Sequence, residues 1–218
     1  MSNAPEPWFV AIGASGMEGL DDLKAVLQAL PARLAAVVLV VLHRPWERHT
    51  HLRAVLARFS RLPVLVPMDG ERFDPGHVYI GEPEEHLTLV ARSFGAMTPD
   101  LDRVHRNRTV DLLFRSVAEH SAGRAIGVVL SGSLDDGSRG LAAIRAAGGL
   151  TMVITPNLLP RRGMPENAVS YDGPVDVIGS PSCIAGAIRA AIGTGGRDPA
   201  DFRREHEPGH AAKSRPAA

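Results

Sequence analysis

Ser15, His43 and the adjacent acids Asp135 and Asp136 are the side chains whose types and placement in this sequence could do chemistry. Ser15 stands in "FVAIGASGMEGLDDL", where an apolar run passes through a glycine-rich turn into a helical pattern. His43 closes a second apolar run, "AAVVLVVLH", and the acids follow a third, "AIGVVLS", inside "SGSLDDG". A hydroxyl, an imidazole and a carboxylate are the minimum set for acyl transfer: a nucleophile, a base, and a group that orients the base. Gly13 and Gly16 suit a sharp strand-to-helix turn, and the helix N-terminus that follows would offer N–H groups to an oxyanion.

Each residue also has a plainer reading. A serine between a strand and a helix is commonly an N-cap, Asp-Asp-Gly is a common turn and cap signal, and His43 could be a polar residue beside a loop. Gly13, Gly16 and Gly19 are spaced G-x-x-G-x-x-G, much as in a dinucleotide-binding turn, and Arg44 could meet a 2′-phosphate. A reductase of that kind needs a Tyr-x-x-x-Lys pair, yet neither Tyr79 nor Tyr171 has a lysine four residues on. The acidic ribose ligand is missing as well, so only a non-catalytic nucleotide sensor survives beside the hydrolase. His43, His49 and His51 lie close in sequence, but no Cys or carboxylate spacing completes a metal site. His49 and His51 read as solvated residues at a helix start, and neither metal nor organic cofactor is expected.

The elements that must position these groups alternate along the chain. Apolar runs without alternation at 8–14, 35–43 and 125–131 read as strands buried on both faces, with further strands at 62–67, 150–155 and 174–179. Helical periodicity marks 19–30, 51–60, 109–121, 137–148 and 181–193. "GHVYIGEPEEHLTLVARSFGAMTP" alternates in short runs with Gly and Pro punctuation, which reads as hairpin-like strands. The stretch between 155 and 174 reads as a loop. The pattern predicts an α/β fold: a doubly wound, mainly parallel sheet with helices on both faces, a Rossmann-like three-layer sandwich. In such a sheet functional groups gather past the carboxyl ends of the strands, where Ser15, His43 and the acids stand. The domain is expected over 8–194, with disordered segments at 1–7 and 195–218.

Bulk properties exclude several classes. The chain has 218 residues, 44% hydrophobic, with 24 basic and 24 acidic side chains, so it carries no electrostatic footprint for nucleic acid. Its apolar runs are far short of a bilayer span, so no membrane insertion is expected. "MSNAPEPWF" lacks the basic and apolar regions of a secretory signal. One cysteine, Cys183, suits a reducing compartment, and a cytoplasmic location is expected.

The order "IGAS…LP…LH-R-P…DGE-x-F-x-P-G-x-x-Y-I…HL…H-R…VDLLF-x-S…GVVLSG-x-x-x-D-G…GL…AGG-x-T…GMP-x-x-A" resembles the catalytic domain of the chemotaxis protein-glutamate methylesterases, the CheB-like family. The resemblance covers about residues 8 to 193. It implies a doubly wound α/β fold that hydrolyses glutamyl methyl esters on chemoreceptors, with glutamine deamidation in many members. The partner implied is a methylated chemoreceptor or other receptor protein, within phosphorelay signal transduction. Position by position, the nucleophile falls on Ser15, the base on His43 and the buried aspartate on Asp136. Gly16, Met17 and Ser133 fall on the two loops that border the oxyanion region. Both loops depart from the family pattern: "SGMEGL" is one residue longer and brings in Glu18, while "SGSL" replaces "TGMG", putting Ser133 for methionine and Leu134 for glycine. The family's regulated members carry an N-terminal phosphoacceptor domain, which the residues before the first strand here do not supply. The alternative class is a non-enzymatic signalling or binding module on the same scaffold.

Overall fold

Alternation along the central strand separates two cores. In β1 (Trp8–Ser15), Trp8, Val10, Ile12 and Ala14 join one cluster of buried side chains, while Phe9 and Ala11 join another. Successive residues of a strand face opposite sides of the sheet, so a strand covered on both sides must be apolar throughout. β2 (Ala36–His43) divides the same way: Val38, Val40 and Leu42 face the first core, Val37, Leu39 and Val41 the second.

The computed structural model describes residues 7–44, 51–82, 85–91, 93–99, 108–156, 162–171, 174–193 and 199–206. Beyond β1 and β2, the main sheet contains β3 (Val64–Leu65), β4 (Val78–Ile80), β7 (Ala125–Val129), β8 (Leu150–Ile154) and β9 (Val177–Gly179). β5 (Glu85–Val90) and β6 (Phe94–Pro99) form a separate antiparallel hairpin. The seven-stranded sheet has the order β3-β4-β2-β1-β7-β8-β9, and its pairings are parallel.

Helices cover both faces. α1 (Gly16–Ala29), α2 (Leu52–Ala57), α6 (Pro181–Gly193) and α7 (Pro199–His206) bury Leu23, Leu27, Leu56, Ile188 and Phe202 in the first core. α3 (Thr109–His120), α4 (Ser138–Ala146) and α5 (Met164–Tyr171) bury Phe114, Leu141 and Met164 in the second, which the hairpin closes with Leu87, Leu89 and Met97. This is the α/β three-layer sandwich expected. From β1 the chain builds β2, β4 and β3 to one side; from β7 it builds β8 and β9 to the other. The reversal falls between β1 and β7, and the crevice at a reversal is where ligands bind in open parallel sheets.

Three local expectations need correction. "VYI" leaves the hairpin-like region and pairs in parallel between β2 and β3. The expected loop before β9 contains α5, whose first turn accommodates Pro165 because its N–H would be unpaired there anyway. Glu166 Oε2 reaches back to accept the Gly163 N–H at 2.8 Å, as the acid of a capping box does. The tail expected to be disordered from 195 holds α7: Phe202 enters the first core, and Arg203 Nε donates to Asp176 Oδ1 at 2.8 Å. Arg203 also donates to the Gly149 carbonyl. Asp176 in turn accepts from the Thr151 N–H at 2.8 Å, so the helix is fastened to the sheet edge by charge as well as by burial.

Candidate active site

Strand geometry places the serine beside the histidine. Ser15 and His43 are register partners in the parallel pair β1–β2, where neighbouring strands run about 4.8 Å apart and partner residues face the same side. Both continue the series that faces the second core, 9-11-13-15 and 37-39-41-43. A side chain added at Gly13 would strike Val110 of α3, which fixes that side as the one α3 covers. Ser15 holds the N-cap position of α1 with extended backbone (φ −146°, ψ 140°), yet its side chain makes no capping hydrogen bond. Its hydroxyl is therefore not spent on the helix, and the first-turn N–H groups receive no side-chain cap. Its backbone N–H donates to the Ser131 carbonyl at 3.0 Å, tying the end of β1 to the loop after β7.

The histidine is held from the other side of the crevice. His43 Nε2 lies 2.9 Å from Asp136 Oδ2 and 2.7 Å from Thr109 Oγ1. A carboxylate at that distance requires the proton on Nε2, with Thr109 as a second acceptor, which in the neutral ring leaves the lone pair on Nδ1. The His43 side chain is 19% exposed and that of Asp136 only 2%. Both Asp136 oxygens are engaged in that setting: Oδ2 also accepts the Val110 N–H at 2.9 Å and Oδ1 the Asp111 N–H at 2.8 Å. Those two N–H groups belong to the first turn of α3, so Asp136 caps that helix from 26 residues away. Asp111 returns the contact, its Oδ1 accepting the Gly137 N–H at 3.0 Å and the Gly140 N–H at 2.7 Å at the start of α4. Two helix N-termini thus exchange carboxylates, and the exchange fixes the acid that faces His43.

Asp135, the neighbouring acid, points away. Its side chain is 51% exposed and lies 3.8 Å from Arg108 Nη2.

The glycine spacing has a packing explanation. Gly13 makes room for Val110 and Gly19 for the Ser131 carbonyl, while Gly16 turns with φ +69°. Arg44 is likewise committed: its guanidinium is buried and pairs with Glu82 at 2.6 Å. Burial pushes the Arg44 pKa down, and the Glu82 charge works against that. The dinucleotide reading therefore loses both its phosphate turn and its arginine. His51 stands exposed at the start of α2, and His49 lies outside the described residues. Among the described residues no group of three His, Cys, Asp or Glu side chains could hold a metal ion.

The loop after β7 presses on Ser15. A Cβ on Gly132 would sit 2.6 Å from Ser15 Cβ, 3.0 Å from Ser15 N and 2.5 Å from Met164 Sδ. The methionine can move, but the strand end cannot without displacing the serine. Gly132→Ala is expected to cost stability by about 1–3 kcal/mol, as overpacking does, and to lower kcat by at least roughly tenfold through misplaced Ser15. Parallel thermal melts and ester-hydrolysis rates check this; a variant that is less stable but fully active would mean the loop, not the serine, gave way. Ser133 is exposed and bridges to Gly163, and Met17 is exposed in the first turn of α1.

Thr109 and Asp111 were not among the candidates. Their signal is a polar pair at the head of an amphipathic helix, with Asp111 among the buried residues Val110, Leu113, Phe114 and Val117. Burial raises the Asp111 pKa above the ordinary carboxylate value, and nearby Asp136 adds to the rise; the Gly140 and Gly137 N–H groups and Arg115 oppose it. The ionised form therefore costs stability. The cost is absent below the ordinary pKa near 3.9, grows as pH rises toward the raised folded value, and is complete above it. Asp111→Asn keeps an acceptor for Gly137 and Gly140 without the charge. It is expected to melt at or above the wild-type temperature at neutral pH, with the advantage vanishing in acid. Asp111→Ala leaves both N–H groups unpaired and should lose about 1–3 kcal/mol for each. Melting curves across pH for both variants check the sign.

The α/β sandwich thus carries a hydroxyl, an imidazole and a buried carboxylate at the carboxyl ends of adjoining parallel strands. The chain belongs to the CheB methylesterase family, whose family model matches residues 10–188. It is 37% identical over 174 residues to a protein-glutamate methylesterase/protein-glutamine glutaminase of Yersinia pestis bv. Antiqua, covering 78% of this chain and 49% of that protein. The protein of the same name from Chromohalobacter salexigens is 34% identical over 190 residues, 85% of this chain and 53% of that protein. The chain thus spans about half the length of the curated relatives it matches. The crystal structure of the Thermotoga maritima CheB methylesterase catalytic domain aligns with a TM-score of 0.76 at 27% identity, covering 86% of this chain and all of that one. No helix among the described residues is long and apolar enough to cross a membrane.

Proposed function

We propose that this chain hydrolyses glutamate γ-methyl esters on a receptor protein through a Ser15–His43–Asp136 triad, in chemotaxis-type signalling. The observation that carries the reading is the His43–Asp136 contact at 2.9 Å on the same face and at the same sheet level as an uncapped Ser15. Asp136 holds the Nε2–H tautomer and stabilises the imidazolium that forms. His43 Nδ1 takes the proton from Ser15 Oγ as the oxygen attacks the ester carbonyl. The resulting oxyanion lies toward the first turn of α1, where the N–H groups of Gly16 and Met17 and the helix dipole are available to it. The imidazolium returns its proton to the departing methoxide, methanol leaves, and an acyl-enzyme remains on Ser15. Water, deprotonated by the same nitrogen, then releases the free glutamate and restores the serine. A glutamine would follow the same path with ammonia leaving, so glutamine deamidation is a second activity of the same groups. Family membership and the names of the relatives support the reaction, and the geometry supports these residues as its agents.

A serine-directed fluorophosphonate probe tests the nucleophile. Stoichiometric labelling at Ser15 is expected, as is its loss when the protein is denatured first. Absence of label together with absence of ester hydrolysis would favour a non-enzymatic binding module on this scaffold.

A further inference from the structure

We infer that Leu134, together with Met17 on the other strand end, selects substrates by seating an aliphatic side chain of the protein segment that carries the ester. The inference deepens the esterase reading above and rests on it. Leu134 adopts φ +71°, a left-handed conformation in which a β-carbon crowds the following carbonyl. Its side chain is nevertheless 59% exposed, so no burial offsets the strain. The strain is held in place rather than relaxed. Asn167 Nδ2 donates to the Leu134 carbonyl at 2.7 Å, Ser133 bridges to Gly163, and the Met164 N–H donates to the Gly132 carbonyl at 2.8 Å. Backbone strain kept by surrounding contacts concentrates where function requires a side chain in one place.

Placement supplies the function. Gly132 lies against Ser15, Leu134 follows two residues beyond Gly132, and Met17 stands two residues beyond Ser15 with 70% exposure. Each of the two central strands is thus followed, within two residues of Ser15 or of the glycine packed on it, by an exposed apolar residue. A glutamyl side chain is short, so the main chain that bears its ester must cross the strand ends close above Ser15, bringing its neighbours against these two loops. Glu18, exposed beside Met17 in the first turn of α1, and Asp135, exposed beside Leu134 and 3.8 Å from Arg108, place an acid next to each apolar residue. An aliphatic neighbour of the ester gains contact there, and an acidic one meets repulsion.

Two synthetic peptides with one central glutamate γ-methyl ester test this, one flanked by leucine and alanine, the other by serine and asparagine. Methanol release gives kcat/KM for each with the wild type, Leu134→Gly and Leu134→Asn. Glycine and asparagine both accept the left-handed backbone, so neither variant is expected to melt below the wild type. Wild type should prefer the apolar peptide by about tenfold, the size of effect that a lost apolar contact produces. Both variants should bring the two rates within about twofold of each other. Equal rates with the wild type, or an unchanged preference in both variants, would overturn the assignment of Leu134 and leave the esterase reading standing. Release of no methanol from either peptide by the wild type would instead sink the esterase reading, and this inference with it.

Discussion

Ser15→Ala and His43→Ala are each expected to lower kcat for ester hydrolysis by at least roughly 10³-fold, with the fold retained. A serine, its base and the acid behind the base work as one unit, so losing either member forfeits the covalent route. The double variant should accordingly be little slower than either single one. Hydrogen-bond donors and binding alone leave some rate above water in such variants, which sets the floor. Ser15 makes no side-chain cap to α1, so its alanine variant should melt with the wild type. His43→Ala opens space but leaves the buried Asp136 carboxylate with the Val110 and Asp111 N–H groups, which limits its cost. Rates on an activated acetate ester and far-UV circular dichroism on the same preparations check both halves. Substantial activity in Ser15→Ala would move the nucleophile elsewhere.

Ser15 and His43 were legible in the sequence because strand structure is local and periodic. An apolar run identifies a strand covered on both faces, its last residue lies at the carboxyl edge, and residues of like parity share a face. What single strands could not say was their order in the sheet. That β2 and β7 both flank β1 is a fact of topology, and only this brings His43 and the "SGSLDDG" loop to the same serine. The choice between Asp135 and Asp136 came from the family pattern, since adjacent acids before a glycine are equivalent as a turn signal.

Thr109 and Asp111 escaped because their partners lie far along the chain: 66 residues from Thr109 to His43, and 26 and 29 from Asp111 to the N–H groups it accepts. Helical periodicity reports which face is buried and is silent about a carboxylate buried to cap another helix. α7 escaped for a related reason. Its window "PADFRREH" offers one large apolar side chain, Phe202, and Arg203 adds polar attachment to Asp176 and the Gly149 carbonyl. A helix whose stability comes from tertiary contacts leaves little trace in its own composition.

The two adjacent acids should separate by orders of magnitude. Asp136→Asn replaces a carboxylate that serves three donors: His43 Nε2–H, Val110 N–H and Asp111 N–H. An amide offers one acceptor oxygen and one NH₂ group, so one side of the site must face a donor with a donor. If the NH₂ turns to His43, the proton moves to Nδ1, which can then no longer accept the proton of the serine. If it turns to α3, the cap on that helix is broken and Thr109 shifts with it. Either way kcat is expected to fall by two or more orders of magnitude at neutral pH; the corresponding change in a serine protease triad costs on the order of 10⁴. Asp135→Asn removes only an exposed charge 3.8 Å from Arg108, worth about 0–1 kcal/mol, and should stay within roughly tenfold of wild type. kcat for both variants on one ester, beside their melting temperatures, decides the assignment. A dead Asp135→Asn with an active Asp136→Asn would mean that the acid behind His43 is the exposed one. Two active variants would mean that His43 needs no carboxylate, and the buried exchange between α3 and α4 would then serve stability alone.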